Sequence, residues 1–177
     1  MGIRTTFNPM GGKKLEKCPF EQNETIFQSS TPGTYYKDVV DGVYEIWACG
    51  AGGGGGGTFN KGAGGQGAAL KGTIYLTART LSIAVGAGGG KYTNGGSTSI
   101  SGLFTCGGGG GKANSSQSSG GGTLTVNATF LTKTLAANGS GNNTGSLLGN
   151  GFGAGGSSSG GSGTNGYVRI RYLRPKP

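Results

Sequence analysis

Side chains able to carry acid–base or metal chemistry occupy one corner of this 177-residue sequence. Histidine is absent, which removes the commonest general base and the commonest metal ligand together. All six acids (Glu16, Glu21, Glu24, Asp38, Asp41 and Glu45) fall within the first 45 residues, so no carboxylate remains from Ile46 onward. Paired-carboxylate hydrolysis, a Ser-His-Asp relay, calcium sites and His-based zinc sites are excluded from that region by composition. The three cysteines, Cys18, Cys49 and Cys106, are too few and too dispersed for a four-cysteine zinc site. Their odd number suits free or buried thiols of a reducing cytosol better than a secreted framework, and a bridge between Cys49 and Cys106 stays open. Glycine runs precede Lys91 and Lys112 as in a phosphate loop, but Tyr92 and Ala113 stand where a Ser or Thr is required, and no helix is expected after either lysine. These residues point away from an enzyme, and no cofactor or metal is expected.

Binding is the chemistry left. Phe59, Tyr92 and Phe152 each sit in or beside a glycine-rich loop with Asn60, Asn94 or Asn150 nearby. An aromatic face with an amide beside it suits stacking on a sugar ring and bonding its hydroxyls, while the alternative is that each ring folds back to cover glycine. The net charge is +9, and the region after residue 45 carries ten bases (Lys61, Lys71, Arg79, Lys91, Lys112, Lys133, Arg169, Arg171, Arg174, Lys176) with no acid. These bases are spaced singly until the C-terminus, unlike the clustered stripe of a nucleic-acid footprint, so no nucleic-acid partner is expected. Spread positive charge still favours encounter with an anionic surface. No run of 18 apolar residues and no signal-like start occurs, so membrane insertion and classical secretion are not expected.

The elements that would hold these residues fall into two parts. Residues 1–25 mix charge and proline without alternation, and carry isolated hydrophobes at Ile3, Phe7, Met10, Leu15 and Phe20, with Arg4 beside the first. This composition reads as an extended arm that orders on a partner through single anchors. The Met-Gly-x-x-x-Thr start fits an N-myristoylation pattern, a short pattern that carries little weight. Residues 26–177 read as a mainly β domain with essentially no α-helix. Thr34–Val39 and Val43–Cys49 flank Asp41-Gly42 as an expected hairpin, and Val43–Cys49 is apolar on both faces. Further strands are expected at 73–77, 81–85, 103–106 and 123–130, and at 167–172, where Val168, Ile170 and Tyr172 point inward and Arg169 and Arg171 outward.

Glycine fills 44 positions, about a quarter of the chain against roughly 7% in an average one, and only 32% of residues are hydrophobic, so a conventional core of full domain size is not expected. Short apolar strands run straight into glycine three times: after Cys49 into Gly52, Gly53, Gly54, Gly55, Gly56 and Gly57; after Val85; and after Cys106 into Gly107, Gly108, Gly109, Gly110 and Gly111. A flexible linker would not repeat that junction. Without a Cβ, extended chains with three residues per turn can pack closely enough to bond one another through their backbones, so short antiparallel strands framing packed polyglycine II helices are expected. The serine-rich stretches 115–122 and 157–163 are expected to be less ordered.

In this order the motifs resemble a known family. Pro32-Gly33-Thr34-Tyr35, then Tyr44-Glu45-Ile46-Trp47-Ala48-Cys49-Gly50-Ala51-Gly52, then Ala84-Val85-Gly86-Ala87-Gly88-Gly89, then Gly95-Gly96-Ser97-Thr98-Ser99-Ile100, then Thr105-Cys106-Gly107, and finally Gly166-Tyr167-Val168-Arg169-Ile170-Arg171-Tyr172 resemble the glycine-rich domain of tailed-bacteriophage virion proteins, carried by tail-fibre adhesins and related appendages. The resemblance covers roughly residues 30–173 and implies β-strands around polyglycine II helices, host recognition by distal loops and frequent trimers. It implies a virion-exterior protein made in the host bacterial cytoplasm, whose partners are other virion proteins through the arm and a host-surface glycan or outer-surface protein through the loops. The chain lacks the long shaft of large adhesins, which leaves a tail-tip cap, a tail appendage and a purely architectural head fibre or decoration protein all open.

Overall fold

In a computed structural model, which describes residues 18–57, 62–112 and 119–175, the alternating apolar runs form ten strands. They are β1 (Thr25–Ser29), β2 (Gly33–Val39), β3 (Gly42–Cys49), β4 (Ala69–Leu76), β5 (Arg79–Val85), β6 (Thr98–Ile100), β7 (Phe104–Cys106), β8 (Leu124–Val126), β9 (Thr132–Ala137) and β10 (Tyr167–Arg174). Two antiparallel five-stranded sheets result, ordered β1-β10-β3-β4-β9 and β2-β5-β6-β7-β8. The fold is mainly β, with no helix among the described residues.

The expected hairpin at Asp41-Gly42 does not form. β2 pairs with β5 in one sheet and β3 pairs with β10 and β4 in the other, so residues 40–41 cross between sheets. Side chains fix this crossing: the Tyr44 hydroxyl donates to the Val40 carbonyl at 2.8 Å and accepts from its N–H at 3.1 Å, while the Asp41 carboxylate accepts from Ala78 N–H at 2.6 Å. Burial pushes the Tyr44 hydroxyl up to about 12, so it stays a protonated donor. The strand expected at 123–130 ends at Val126, and β9 lies where no strand was expected, as an edge strand of exposed and half-buried residues.

The apolar residues concentrate between the sheets. Tyr44, Ile46, Val168 and Ile170 of the first sheet join Ile83, Ile100 and Phe104 of the second in one buried cluster, so a conventional core exists but is confined to this sandwich. Phe20, placed by sequence among the anchors of the arm, packs against the domain itself, its ring 5.7 Å from that of Tyr172. Thr25 already belongs to β1.

Register puts the glycine junctions at one end of both sheets. Tyr167, Cys49, Ala69 and Ala137 form one row of the first sheet, and Thr98, Cys106 and Leu124 one row of the second. Among the described residues, the segments that run on from Cys49, Val85 and Cys106 there are extended and bonded to one another or to the returning segments. The tract after Cys49 is central, and its partners rotate with a period of three. Gly50, Gly53 and Gly56 N–H donate to Ala68, Gly65 and Gly62; Ala51 and Gly54 donate to Gly96 and Thr93; Gly52 and Gly55 donate to Thr164 and Gly161, all at 2.8–3.0 Å. The carbonyls use the three remaining directions: Ala51 and Gly54 accept from Gly109 and Lys112, Gly52 and Gly55 from Gly89 and Tyr92, and Gly53 from Gly156. Partner numbers fall along the segments it donates to and rise along 109–112 and 89–92, and the 154–157 segment also rises from Ala154 beside Gly52 to Ser157 beside Gly55, so six neighbours surround the tract, three antiparallel and three parallel.

Glycine is required there by space. A Cβ on Gly53 would overlap the carbonyl of Gly110, one on Gly54 that of Gly90 and one on Gly55 that of Ser157. Gly161 and Gly163, within a stretch expected to be less ordered, join this array through Gly55 and Gly89, and buried Ser119 donates to the Ala63 carbonyl at 2.8 Å. Residues 115–118 lie outside the described residues.

Array and sandwich meet at Thr98, which is fully buried and whose Oγ1 accepts the Gly86 N–H at 3.1 Å. Thr98→Val keeps the shape and orphans that donor. We expect a loss of about 1–3 kcal/mol, read from the denaturant midpoint with an unchanged slope.

Candidate functional site

Two surfaces carry chemistry-bearing side chains, at opposite ends of the array. The first is its tip, where the tract ends in Gly57 with φ +73° and the chain turns again at 90–93 and 157–161. Tyr92 lies here with φ +68° and is 36% exposed, its ring beneath the Lys91 ammonium at 4.8 Å. The Lys91 stem lies against Gly57 and Gly160, and the buried Lys112 stem covers Gly62. Both lysine stems therefore cover glycine backbone. Asn94, two residues from Tyr92, spends its side-chain carbonyl on Gly111 N–H at 2.8 Å.

Phe59 and Asn60, also expected to contact a receptor, lie outside the described residues, as do Ile3, Arg4, Phe7, Met10 and Leu15 of the expected arm. Asn150 and Phe152 sit at the other end of the array. Phe152 stacks on Tyr167 at 5.1 Å with the planes 3° apart, and Asn150 Oδ1 accepts from Phe152 N–H at 3.2 Å, closing their own loop. Tyr92 and Phe152 therefore do not share a surface.

The second surface is the outer face of the first sheet, and its assembly was not foreseen. Strand alternation turns Glu45 and Trp47 of β3, Lys71 and Thr73 of β4, and Arg169 and Arg171 of β10 to this face, and register sets Arg169, Trp47 and Lys71 in one row with Arg171, Glu45 and Thr73 in the next. The Trp47 ring is flanked by two cations, Lys71 Nζ at 3.9 Å and Arg169 Cζ at 4.0 Å from its centroid. Glu45 Oε2 accepts from Arg169 at 3.3 Å and from Arg171 at 2.9 Å. Leu135, Leu147, Leu148 and Phe152 continue the face as an apolar shelf beside Trp47. The Nε groups of Arg169 and Arg171 and Nε1 of Trp47 are buried and have no hydrogen-bond partner among the described residues.

Cys18 is free and exposed, whereas the other two thiols are closed off. Cys49 and Cys106 are unbridged and buried, and burial raises both, Cys49 to about 12, so neither forms a thiolate at neutral pH. Among the described residues no three His, Cys, Asp or Glu side chains come together as a metal site, and no helix is long and apolar enough to cross a membrane.

A scan against protein-family models matches none, and a search of curated proteins returns no match.

Proposed function

We propose that this chain is a structural virion protein of a tailed bacteriophage, an appendage that attaches through residues 1–25 and presents the turns of a glycine array to the host surface. The observation that carries this reading is polarity. Residues 18–24 pack at the sandwich end, where Tyr172 N–H donates to the Glu24 carbonyl at 2.8 Å, while the Tyr92 turn is at the array tip. A chain entering at one end and exposing turns at the other suits an object held at its base. The array itself we read as polyglycine II packing. Its support is the three-residue rotation of donors along 50–56, and the absence of positive φ from Gly52 to Gly55. At about 3.1 Å per residue, seven residues would carry the tip roughly 20 Å beyond the sheets. A trimer on the virion exterior, with a host glycan or outer-surface protein as the distal partner, completes the proposal.

A second reading is favoured by Asn94, whose amide oxygen serves the array's own backbone instead of a ligand. It makes the chain a head fibre or decoration protein without a receptor. Labelled protein incubated with host cells separates the two. Saturable adsorption that falls about tenfold or more in Tyr92→Asn, with an unchanged unfolding curve, supports the receptor role, because asparagine tolerates the left-handed backbone while removing the ring. No adsorption by folded protein, with the chain present at fixed stoichiometry in purified virions, supports the architectural role. Absence of the chain from purified virions refutes both.

A further inference from the structure

We propose that the outer face of the first sheet binds a phosphate monoester, held by Arg169 and Arg171 beside Trp47. This site stands whether or not the chain belongs to a virion, and it lies at the opposite end of the array from the Tyr92 turn.

Charge balance is the first ground. Lys71, Arg169 and Arg171 bring three positive charges to adjacent strands and Glu45 one negative, leaving a local excess of +2. The side chains are half-buried, Arg169 24% and Arg171 34% exposed over a Glu45 that is 15% exposed, so like charges repel through less water than at an open surface. Glu45 cannot balance them, since its one negative charge is already shared between both arginines.

Unused donors are the second ground. The Nε groups of Arg169 and Arg171 and the Trp47 indole N–H are buried without an acceptor among the described residues, three orphans on two neighbouring strands. Strand geometry puts their backbones within about 5 Å across the sheet and about 7 Å along it. Such donors have lost water and gained nothing in return. A phosphate monoester supplies what is missing. At neutral pH it carries about −1.5 to −2 charge and three acceptor oxygens, and it matches the planar guanidinium fork. A single carboxylate repeats what Glu45 already provides, and chloride offers no directional acceptor.

The surroundings indicate what the ester carries. Leu147, Leu148 and Phe152 pack beside Trp47 against the Tyr167, Cys49 and Ala69 row, Leu135 extends the Lys71 row onto β9, and the Thr73 and Thr132 hydroxyls, 2.8 Å apart, lie in the next row on β4 and β9. Apolar and hydroxyl groups on one face match the apolar face and hydroxyl edges of a sugar ring, which we take as the group that carries the phosphate. A soluble sugar phosphate and a phosphorylated surface glycan share this chemistry.

Trp47 is the single tryptophan of the chain, and its ring touches two of the cations that the anion would draw, so its emission reads the site directly. The full chain is titrated at pH 7.5 with glucose 6-phosphate, with inorganic phosphate, and with potassium chloride at matched ionic strength. We expect a saturable change with glucose 6-phosphate and none with chloride. Weaker saturation by inorganic phosphate assigns the sugar a share of the binding, and equal saturation assigns the site to the anion alone; either supports it. Arg171→Gln should weaken binding at least tenfold and Lys71→Gln several-fold, the latter removing charge without touching the Glu45 ion pairs, should the former fail to fold. Lys91→Gln at the array tip should bind as wild type. A flat titration, an equal response to chloride, or unchanged affinity in both folded variants overturns the proposal.

Discussion

Gly54→Ala is expected to destabilise the protein by about 3 kcal/mol or more, a large share of the roughly 5–15 kcal/mol that holds a domain together. The residue has no positive φ, so alanine meets no strain of its own. What it meets is backbone. The new Cβ would overlap the Gly90 carbonyl, with the Gly89 carbonyl oxygen at 3.0 Å behind it, and neither can turn aside as a side chain would. The neighbouring segment must move, and Gly54 itself is bonded to Thr93 at 2.9 Å and Lys112 at 3.0 Å, so that movement lengthens bonds worth about 0.5–1.5 kcal/mol each. Two other glycines isolate the cause. Gly102 has φ +74° with nothing within 4 Å of a Cβ, so Gly102→Ala should cost about 1 kcal/mol through backbone strain alone. Gly120 has neither strain nor, among the described residues, a neighbour within 4 Å of a Cβ, so Gly120→Ala should stay within about 0.5 kcal/mol of wild type. Denaturant midpoints of the three variants check the ranking, and a Gly54→Ala protein as stable as Gly120→Ala would remove close packing as the role of the tract.

The strands that carry apolar alternation were legible, because a half-buried strand must alternate whatever lies beside it. β10 shows this: Val168, Ile170 and Tyr172 are buried, while Arg169 and Arg171 face outward. Partnership was not legible. Asp41-Gly42 between two apolar runs is the ordinary signature of a hairpin, but the Tyr44 hydroxyl bonded to Val40 and the Asp41 carboxylate bonded to Ala78 N–H hold the chain as it crosses to a second sheet. β9 escaped because an exposed edge strand has no buried face to mark it. Glycine tracts hide their period for a related reason. A period is read from side chains, so the three-residue rotation from Gly50 to Gly56 exists only in backbone bonds.

The same limit applied to the sites. Trp47 with Glu45 on one strand and Arg169 with Arg171 on another could each be placed on a face by alternation, but 124 residues separate Glu45 from Arg169, and nothing local says that their strands are neighbours. Phe152 illustrates the reverse. An aromatic in a glycine loop reads equally as a ligand platform or as a cover, and here it lies flat on Tyr167.

Phe104→Ala should lower stability by about 3–5 kcal/mol and should loosen the array and the sheets in a single step. Phe104 is 1% exposed in the cluster that joins the two sheets, with the Phe130 ring 6.5 Å away, so truncation removes transfer energy and leaves a cavity. Its strand, β7, runs three residues later into Gly107, which is bonded to Thr123 and Ala68 within the array. The array has almost no side chains with which to form a core, and ordering glycine is entropically expensive, so its segments depend on strands that hold their first residues in register. Those strands depend in turn on the array, since it ties one end of both sheets together through backbone bonds. Mutual dependence of this kind makes one cooperative unit. In Phe104→Ala, exchange of the Gly54 amide, which lies several residues along the array from the sandwich, should speed up by the same free energy that strand amides such as Ile46 lose, measured by native-state hydrogen exchange. Retained protection at Gly54 beside lost protection at Ile46 would mean that the glycine segments stand without the sandwich, and that the array, not the core between the sheets, is the more stable half of the protein.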